Sequence, residues 1–225
     1  MTKAFYMDMG HLQYGPASDL QNSLFNEKLQ DKQNGLIPDN HLIFCEHNHV
    51  YTLGKNGVPD NLLANPAFLD KIGAEVYETQ RGGDITYHGP GQLIAYPIFD
   101  LQQMNLGVKE YVWKVEECII QTLANYDIEG ERIEGRIGIW VGKDTDEERK
   151  IAAIGIKCSR YVTMHGLALN VNTDLSYFDY IVPCGIIGKS VTSMKKELGR
   201  EIDISDVKND LRSKFKTIFE LDFTI

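Results

Sequence analysis

The chain has 225 residues, 43% of them hydrophobic, and a formal net charge of -9 at pH 7. That length suffices for one core of ordinary size, and the acidic balance argues against nucleic-acid binding, which rests on a surplus of lysine and arginine. Residues 1–10 (MTKAFYMDMG) lack both a basic n-region with an apolar h-region and an Arg/Ser-rich amphipathic pattern, and no run approaches the roughly 18 apolar residues of a membrane span, so a cytoplasmic protein with no membrane partner is expected.

Residues 4–9 alternate apolar and polar side chains and predict a first strand. Behind Pro16 and Ser18, residues 17–32 carry helical periodicity. Segments rich in β-branched and aromatic residues predict strands at 41–46, 75–79 and 92–99, followed by a helix over 108–126. Further strands are predicted at 137–141, 151–157 and 164–171, with the polar stretch 142–150 (GKDTDEERK) as an exposed hairpin connection. Finally, Ile204, Val207, Leu211, Phe215 and Ile218 recur at helical spacing and predict a helix over 204–221, with Asp203 as its N-cap. Most neighbouring strands are placed to pair as antiparallel hairpins. The fold class is therefore α+β, a mixed or antiparallel sheet covered by helices on one side. No repeat, low-complexity tract or Pro/Ser-rich linker divides the chain, so residues 1–225 are expected to form one catalytic domain.

The densest chemical signal is RGGDITYHGPGQ at 81–92, where polar side chains alternate with four glycines and one proline just before an apolar strand. Glycines let a backbone approach a ligand closely and expose N–H groups to an anion or a carbonyl oxygen. Arg81 suits a phosphate or carboxylate, and His88 suits hydrogen bonding or proton transfer. The same string is also open to a bland reading as a glycine-rich hairpin. It matches neither the P-loop nor the GxGxxG pattern, so a nucleotide is not implied.

A second segment, KIAAIGIKCSRYVTMHGLALN at 150–170, reads as two strands joined by a turn near 157–161. Lys150 heads an apolar run and so lies at the mouth of an apolar region, a setting that lowers an ammonium pKa by desolvation. A solvated strand end is the alternative.

The cysteines, Cys45, Cys118, Cys158 and Cys184, are scattered and lack CxxC spacing, which argues for reduced thiols rather than disulfides or structural zinc. Cys184 sits between Pro183 and Gly185 in IVPCGIIG, a turn context that exposes a nucleophile and brings a backbone N–H beside the sulfur. A packing role is open for it too, because free cysteine is usually buried. Cys45 and Cys118 lie in apolar strand and helix contexts and are expected in the core. Cys158, in the basic turn KCSR, is the fallback nucleophile, since neighbouring cations lower a thiol pKa. The histidines show no ligand spacing with carboxylates, so no metal is expected.

Taken together, RGGDITYHGPGQ at 81–92, KIAAIG at 150–155, HGLALN at 165–170 and IVPCGI at 181–186 closely resemble the lipoyl(octanoyl) transferase family. EHNHVYTLGK at 46–55 and VTSM at 191–194 are similar as well. The resemblance implies a fold similar to the catalytic domain of biotin and lipoate protein ligases, a sheet flanked by helices. It aligns Cys184 with the family's acyl-accepting cysteine and Lys150 with its catalytic lysine. It assigns the substrate pocket to Arg81, Gly82, Gly83, Asp84, Ile85, Thr86, Tyr87 and His88, to Ala153, Ile154 and Gly155, and to Gly166, Leu167 and Ala168. Ile154, Leu167 and Tyr87 suit an acyl slot, with a core role equally consistent, and His88 and His165 suit orienting roles.

The implied donor is octanoyl–acyl carrier protein, carrying the acyl group on 4'-phosphopantetheine. The implied acceptor is the lipoyl domain of a 2-oxoacid dehydrogenase or the glycine-cleavage H protein, with neither ATP nor metal as cofactor. Lys143, Arg149, Lys157 and Arg160 form a candidate basic cluster for an acidic carrier. Two other readings stay open: an ATP-dependent lipoate or biotin ligase, and a non-catalytic acyl-binding protein.

Overall fold

Alternation along the strands decides which side chains meet which layer. The computed structural model describes residues 1–182 and 190–224. The chain opens with β1 (Thr2–His11), α1 (Tyr14–Gln33) and β2 (Asn40–Glu46), then β3 (Val50–Leu53), α2 (Pro66–Ile72), β4 (Glu75–Glu78), β5 (Ile85–His88) and β6 (Gln92–Ile98). It continues through α3 (Val108–Ala124), β7 (Glu131–Ile133), β8 (Arg136–Val141), β9 (Arg149–Ser159) and β10 (Val162–Asn170). It closes with β11 (Ser190–Val191), α4 (Met194–Leu198), α5 (Ile204–Ile218) and β12 (Leu221–Thr224).

The described strands form a nine-stranded mixed sheet in the order β12-β1-β2-β6-β10-β9-β8-β7, with β11 pairing β9, and a three-stranded sheet in the order β4-β3-β5. β6 lies centrally and is buried on both faces. Its Leu93 and Ala95 join Leu42 and Phe44 against α3 and α5, whereas Ile94, Tyr96 and Ile98 turn to the opposite face, where Ala17 of α1 packs. Helices thus cover both faces of the large sheet, not one side only, because these central strands are apolar in both phases of their alternation.

The antiparallel hairpins β8–β9 and β9–β10 form as the sequence implies. The β9–β10 turn is Arg160–Tyr161, with φ of 49° and 65°, the left-handed pair of a tight type I′ hairpin. By contrast β1 pairs in parallel with both β2 and β12, and β3 pairs in parallel with β4. The last helix stops at Ile218 rather than 221: Glu220 takes φ 53°, and Leu221, instead of prolonging the apolar stripe, enters β12 beside β1. Asp203 does cap α5, accepting from the Ser205 N–H. The 81–92 segment is not all loop, since Ile85–His88 forms β5 against β3. No helix among the described residues is long and apolar enough to cross a membrane.

Candidate active site

A cavity of about 640 Å³ opens over β6, β9 and β10 on the α1 side of the large sheet, a volume within the roughly 300–1,000 Å³ of small-molecule sites. Residues 81–86 and His88 form one wall, Lys150, Ala153, Ile154 and Gly155 of β9 a second, and Gly166, Leu167 and Ala168 of β10 the floor. Fourteen of the residues singled out in the sequence therefore converge on one space, though they lie on separate segments of the chain.

The glycines permit this closeness. A Cβ on Gly155 would press against the Gly82 carbonyl oxygen at 3.0 Å, and one on Gly166 would stand 2.1 Å from the Ala95 carbonyl oxygen, closer than real Cβ atoms come to backbone. The Gly82 N–H donates to the Ile156 carbonyl, 2.8 Å, which stitches the glycine-rich wall to β9.

Arg81 is buried and braces this wall rather than standing free. Its guanidinium donates to the Thr52 carbonyl at 2.5 Å, to the Thr52 hydroxyl at 3.0 Å and to the Gly82 carbonyl at 3.1 Å. Asp84 gathers the adjoining loops, accepting from the Ile85 N–H at 2.7 Å and from the Asn61 amide at 2.6 Å.

Lys150 owes its orientation to an irregularity in the ladder. Ile139 faces Ala152 but Trp140 faces Lys150, so β9 carries one extra residue at this point. That bulge turns both Ile151 and Ala152 into the main core and leaves Lys150 on the cavity side, in line with Ala153. The Lys150 ammonium lies 4.7 Å from the centroid of the Trp140 ring, a cation–π contact. Gly138, at φ 112°, lets the lysine pass: a Cβ there would meet Lys150 Cε at 3.5 Å and the Ala152 carbonyl oxygen at 2.6 Å.

His88 begins a buried polar chain. Its Nδ1 is 2.8 Å from the Gln92 amide oxygen, the Gln92 amide donates to Asn170 at 2.9 Å, and the Asn170 amide donates to the Thr192 carbonyl at 2.9 Å. The Thr192 N–H in turn donates to the Lys150 carbonyl at 2.9 Å. Burial lowers the pKa of His88 to about 3 and that of His165 to about 4, so both imidazoles are neutral in the folded protein at neutral pH. Neutral rings suit hydrogen bonding and positioning.

Tyr87 faces the other way. Alternation in β5 sends it into the core of the small sheet, stacked on Tyr177 with ring centroids 5.0 Å apart, and it does not line the cavity. Cys184 and Gly185 lie outside the described residues. The chain leaves for that segment at Val182, whose N–H donates to the Asn61 carbonyl at 2.8 Å, and returns at Ser190 and Val191, which pair with Arg149 and Lys150. Cys45 and Cys118 are fully buried, as expected. Cys158 packs against the main core away from the cavity, and burial raises its thiol pKa, contrary to the lowering expected from its basic neighbours.

The proposed basic cluster does not assemble either. Lys143 and Arg149 flank the start of β9 and Lys157 and Arg160 its end, roughly 25 Å apart at strand rise, and Arg149 is already held by Glu197 at 2.6 Å. Conversely, Tyr14, Tyr96, Gly138 and Trp140 shape the site without having been singled out. Their only sequence signal was placement: Gly138 interrupts a strand, and Trp140 falls on the face opposite Ile139.

A mixed sheet flanked by helices, as found here, is the fold of lipoate and biotin protein ligase catalytic domains. It is similar to a bipartite lipoate protein ligase of Thermoplasma acidophilum, with TM-score 0.73 and 15% identity over 100% of this chain and 86% of that one. It is also similar to the apo biotin protein ligase of Aquifex aeolicus, with TM-score 0.51 and 8% identity over 98% and 70%. Over residues 13–216 the sequence matches the lipoyl protein ligase A/B catalytic domain. An octanoyltransferase of Bacteroides fragilis (strain YCH46) is 51% identical over 209 residues, 93% of this chain and 95% of that protein. The chain belongs to the lipoyl protein ligase A/B catalytic domain family, among its octanoyltransferases, and is an acyltransferase.

Proposed function

We propose that the protein, acting as one catalytic unit in the cytoplasm, moves an octanoyl group from octanoyl–acyl carrier protein to a lysine of a lipoyl domain or H protein through a thioester on Cys184. What carries the proposal is the meeting of an apolar cavity with Lys150 at the point where the Cys184-bearing segment rejoins the sheet, Val191 pairing with Lys150.

Chemically, the Cys184 thiolate attacks the donor thioester carbonyl, the bond to the pantetheine sulfur breaks, and the Lys150 ammonium gives that sulfur a proton. The acyl group now rests on Cys184. The acceptor amine then attacks, the bond to Cys184 breaks as the amide forms, and Lys150 takes the amine proton, restoring the ammonium and the thiolate. A thioester intermediate keeps the acyl group activated, so neither ATP nor a metal is required. A free cysteine, with pKa of about 8.5, is only a few per cent thiolate at neutral pH. An ammonium about 4 Å away favours the thiolate by roughly 4 kcal/mol at intermediate dielectric.

The test is octanoyl transfer from octanoyl–acyl carrier protein to an apo-lipoyl domain, with and without nucleotide. Nucleotide-free transfer that Cys184→Ser and Lys150→Met each abolish is expected. A strict requirement for ATP would instead identify a ligase.

A further inference from the structure

Three cavity-lining residues, Lys150, Ala168 and Tyr96, fall on a diagonal of the large sheet. Lys150 lies on β9 at the Asn170 end, joined to it through Thr192. Ala168 on β10 stands opposite both Ala153 of β9 and Ile94 of β6, and Tyr96 is the next same-face residue of β6 beyond Ile94. Each step moves one strand over and one same-face position further from Lys150. Two strand spacings put β6 about 10 Å from β9, and an extended eight-carbon acyl chain, with carbon–carbon bonds of about 1.5 Å, is about 9 Å long. A chain whose carbonyl stands at Lys150 therefore passes over Ala153 and Ala168 and brings its methyl end to Ile94 and Tyr96.

That far corner is closed. Ile98 and Met164, the next residues on the same face, leave the cavity: Ile98 is fully buried in the cluster of Ile43 and Tyr96, and Met164 packs on Phe25 of α1. The phenol of Tyr96 is tied down, its hydroxyl 2.7 Å from His47 Nε2. His47 Nδ1 is 2.6 Å from the Leu12 carbonyl oxygen, which only accepts, so Nδ1 carries the imidazole proton and Nε2 receives that of the phenol. Behind the phenol, His47 and Cys45 are fully buried, 3.6 Å apart, and Tyr14 completes the wall with its ring centroid 5.4 Å from that of His47. A ring tied at its hydroxyl cannot swing aside without breaking a buried hydrogen bond.

We infer that Tyr96 determines acyl chain length, its tethered phenol stopping saturated chains longer than eight carbons at the end of the cavity remote from Lys150. This rests on the acyl transfer proposed above, which sets the carbonyl beside Lys150. Small side chains along the path, Ala153, Ala168 and Gly166, leave the depth that the chain fills, and the ring is the first bulky group that it meets. Each further methylene would have to displace the phenol from His47 or fold back on itself.

The experiment compares hexanoyl, octanoyl and decanoyl donors on acyl carrier protein, with an apo-lipoyl domain as acceptor. Tyr96→Leu should raise the decanoyl-to-octanoyl ratio of kcat/KM by about 10–200-fold, the range over which a pocket discriminates a methylene. Ala168→Val, which fills the middle of the diagonal, should raise the hexanoyl-to-octanoyl ratio. Titration of the free fatty acids reads the same cavity without turnover, and decanoate should bind Tyr96→Leu about 10-fold more tightly than the parent. Parent-like ratios and Kd values in a Tyr96→Leu enzyme that melts as a folded protein overturn the assignment while leaving the acyl transfer standing. Should Tyr96→Leu not fold, Ala168→Val decides: only a closed far end converts bulk at the middle into a shorter preferred chain, so an unchanged ratio overturns the assignment. A parent that discriminates octanoate from decanoate yet transfers nothing overturns the transfer and leaves the Tyr96 stop standing.

Discussion

Lys150 Nζ stands 4.7 Å from the centre of the Trp140 ring because a one-residue bulge in β9 puts the two side chains on the same face of the sheet. Without the extra residue, Lys150 would share the phase of Ala152 and point into the main core. The bulge therefore carries charge to the cavity at the place where Val191 returns beside it.

Lys150→Met should reduce octanoyl transfer by about 10²–10⁴-fold, the usual contribution of a positioned proton-transfer group, and leave the melting temperature nearly unchanged. Stopped-flow acylation and thermal melts on the same sample check this. A variant within threefold of the parent rate would remove Lys150 from the chemistry.

Gly166→Ala should destabilise the fold, since its methyl would lie 2.1 Å from the Ala95 carbonyl oxygen and 2.6 Å from Pro97 Cδ. Overpacking of this kind costs about 1–3 kcal/mol, and each kcal/mol lowers Tm by about 2–4 °C in a chain of this size. An unchanged Tm would contradict the close approach of β10 to β6.

His47, His88 and His165 have folded-state pKa values lowered by burial to about 4, 3 and 4, below the roughly 6.5 of an unfolded histidine. Between those values the unfolded chain binds protons that the folded chain does not, so stability falls as pH drops from about 6.5 toward 4, by at most about 1.4 kcal/mol per pH unit for each histidine. Above pH 6.5 these groups contribute no slope. Equal urea midpoints at pH 6.5 and 4.5 would contradict their burial as neutral rings.

Arg149 and Glu197 form a two-pronged pair, both contacts at 2.6 Å, and Thr192 also bonds Glu197. Because Ser190 pairs with Arg149, the pair fixes the returning chain to β9 beside Lys150. Arg149→Met and Glu197→Met should couple by about 1–2 kcal/mol in a double-mutant cycle. Strictly additive losses would show that the two side chains do not act together.

Much of the architecture was legible in the sequence where periodicity was strong: α3, α5 and the hairpin strands β8 to β10 stand near their expected limits. β3, β5, β11 and β12 escaped because two to four residues carry too little period to distinguish a strand from a loop. The glycine-rich string and the Lys150 strand were visible as segments, and their convergence was implied only by the resemblance. Trp140 and Gly138 stayed hidden, because alternation within β8 does not reveal that a bulge in its neighbour will place Lys150 opposite the indole. Tyr87, for which acyl slot and core were both open, packs in the core for a related reason: one-residue alternation in β5 decides between cavity and core, and a string of glycines does not show that phase.

The most direct measurement of the central claim is the intact mass of the enzyme after brief incubation with octanoyl–acyl carrier protein in the absence of nucleotide, followed by peptide mapping. One octanoyl group on the peptide containing Cys184, labile to hydroxylamine and absent from Cys184→Ser, is the expected result. An adduct on Cys158, or transfer to the acceptor with no covalent intermediate at any cysteine, would contradict it.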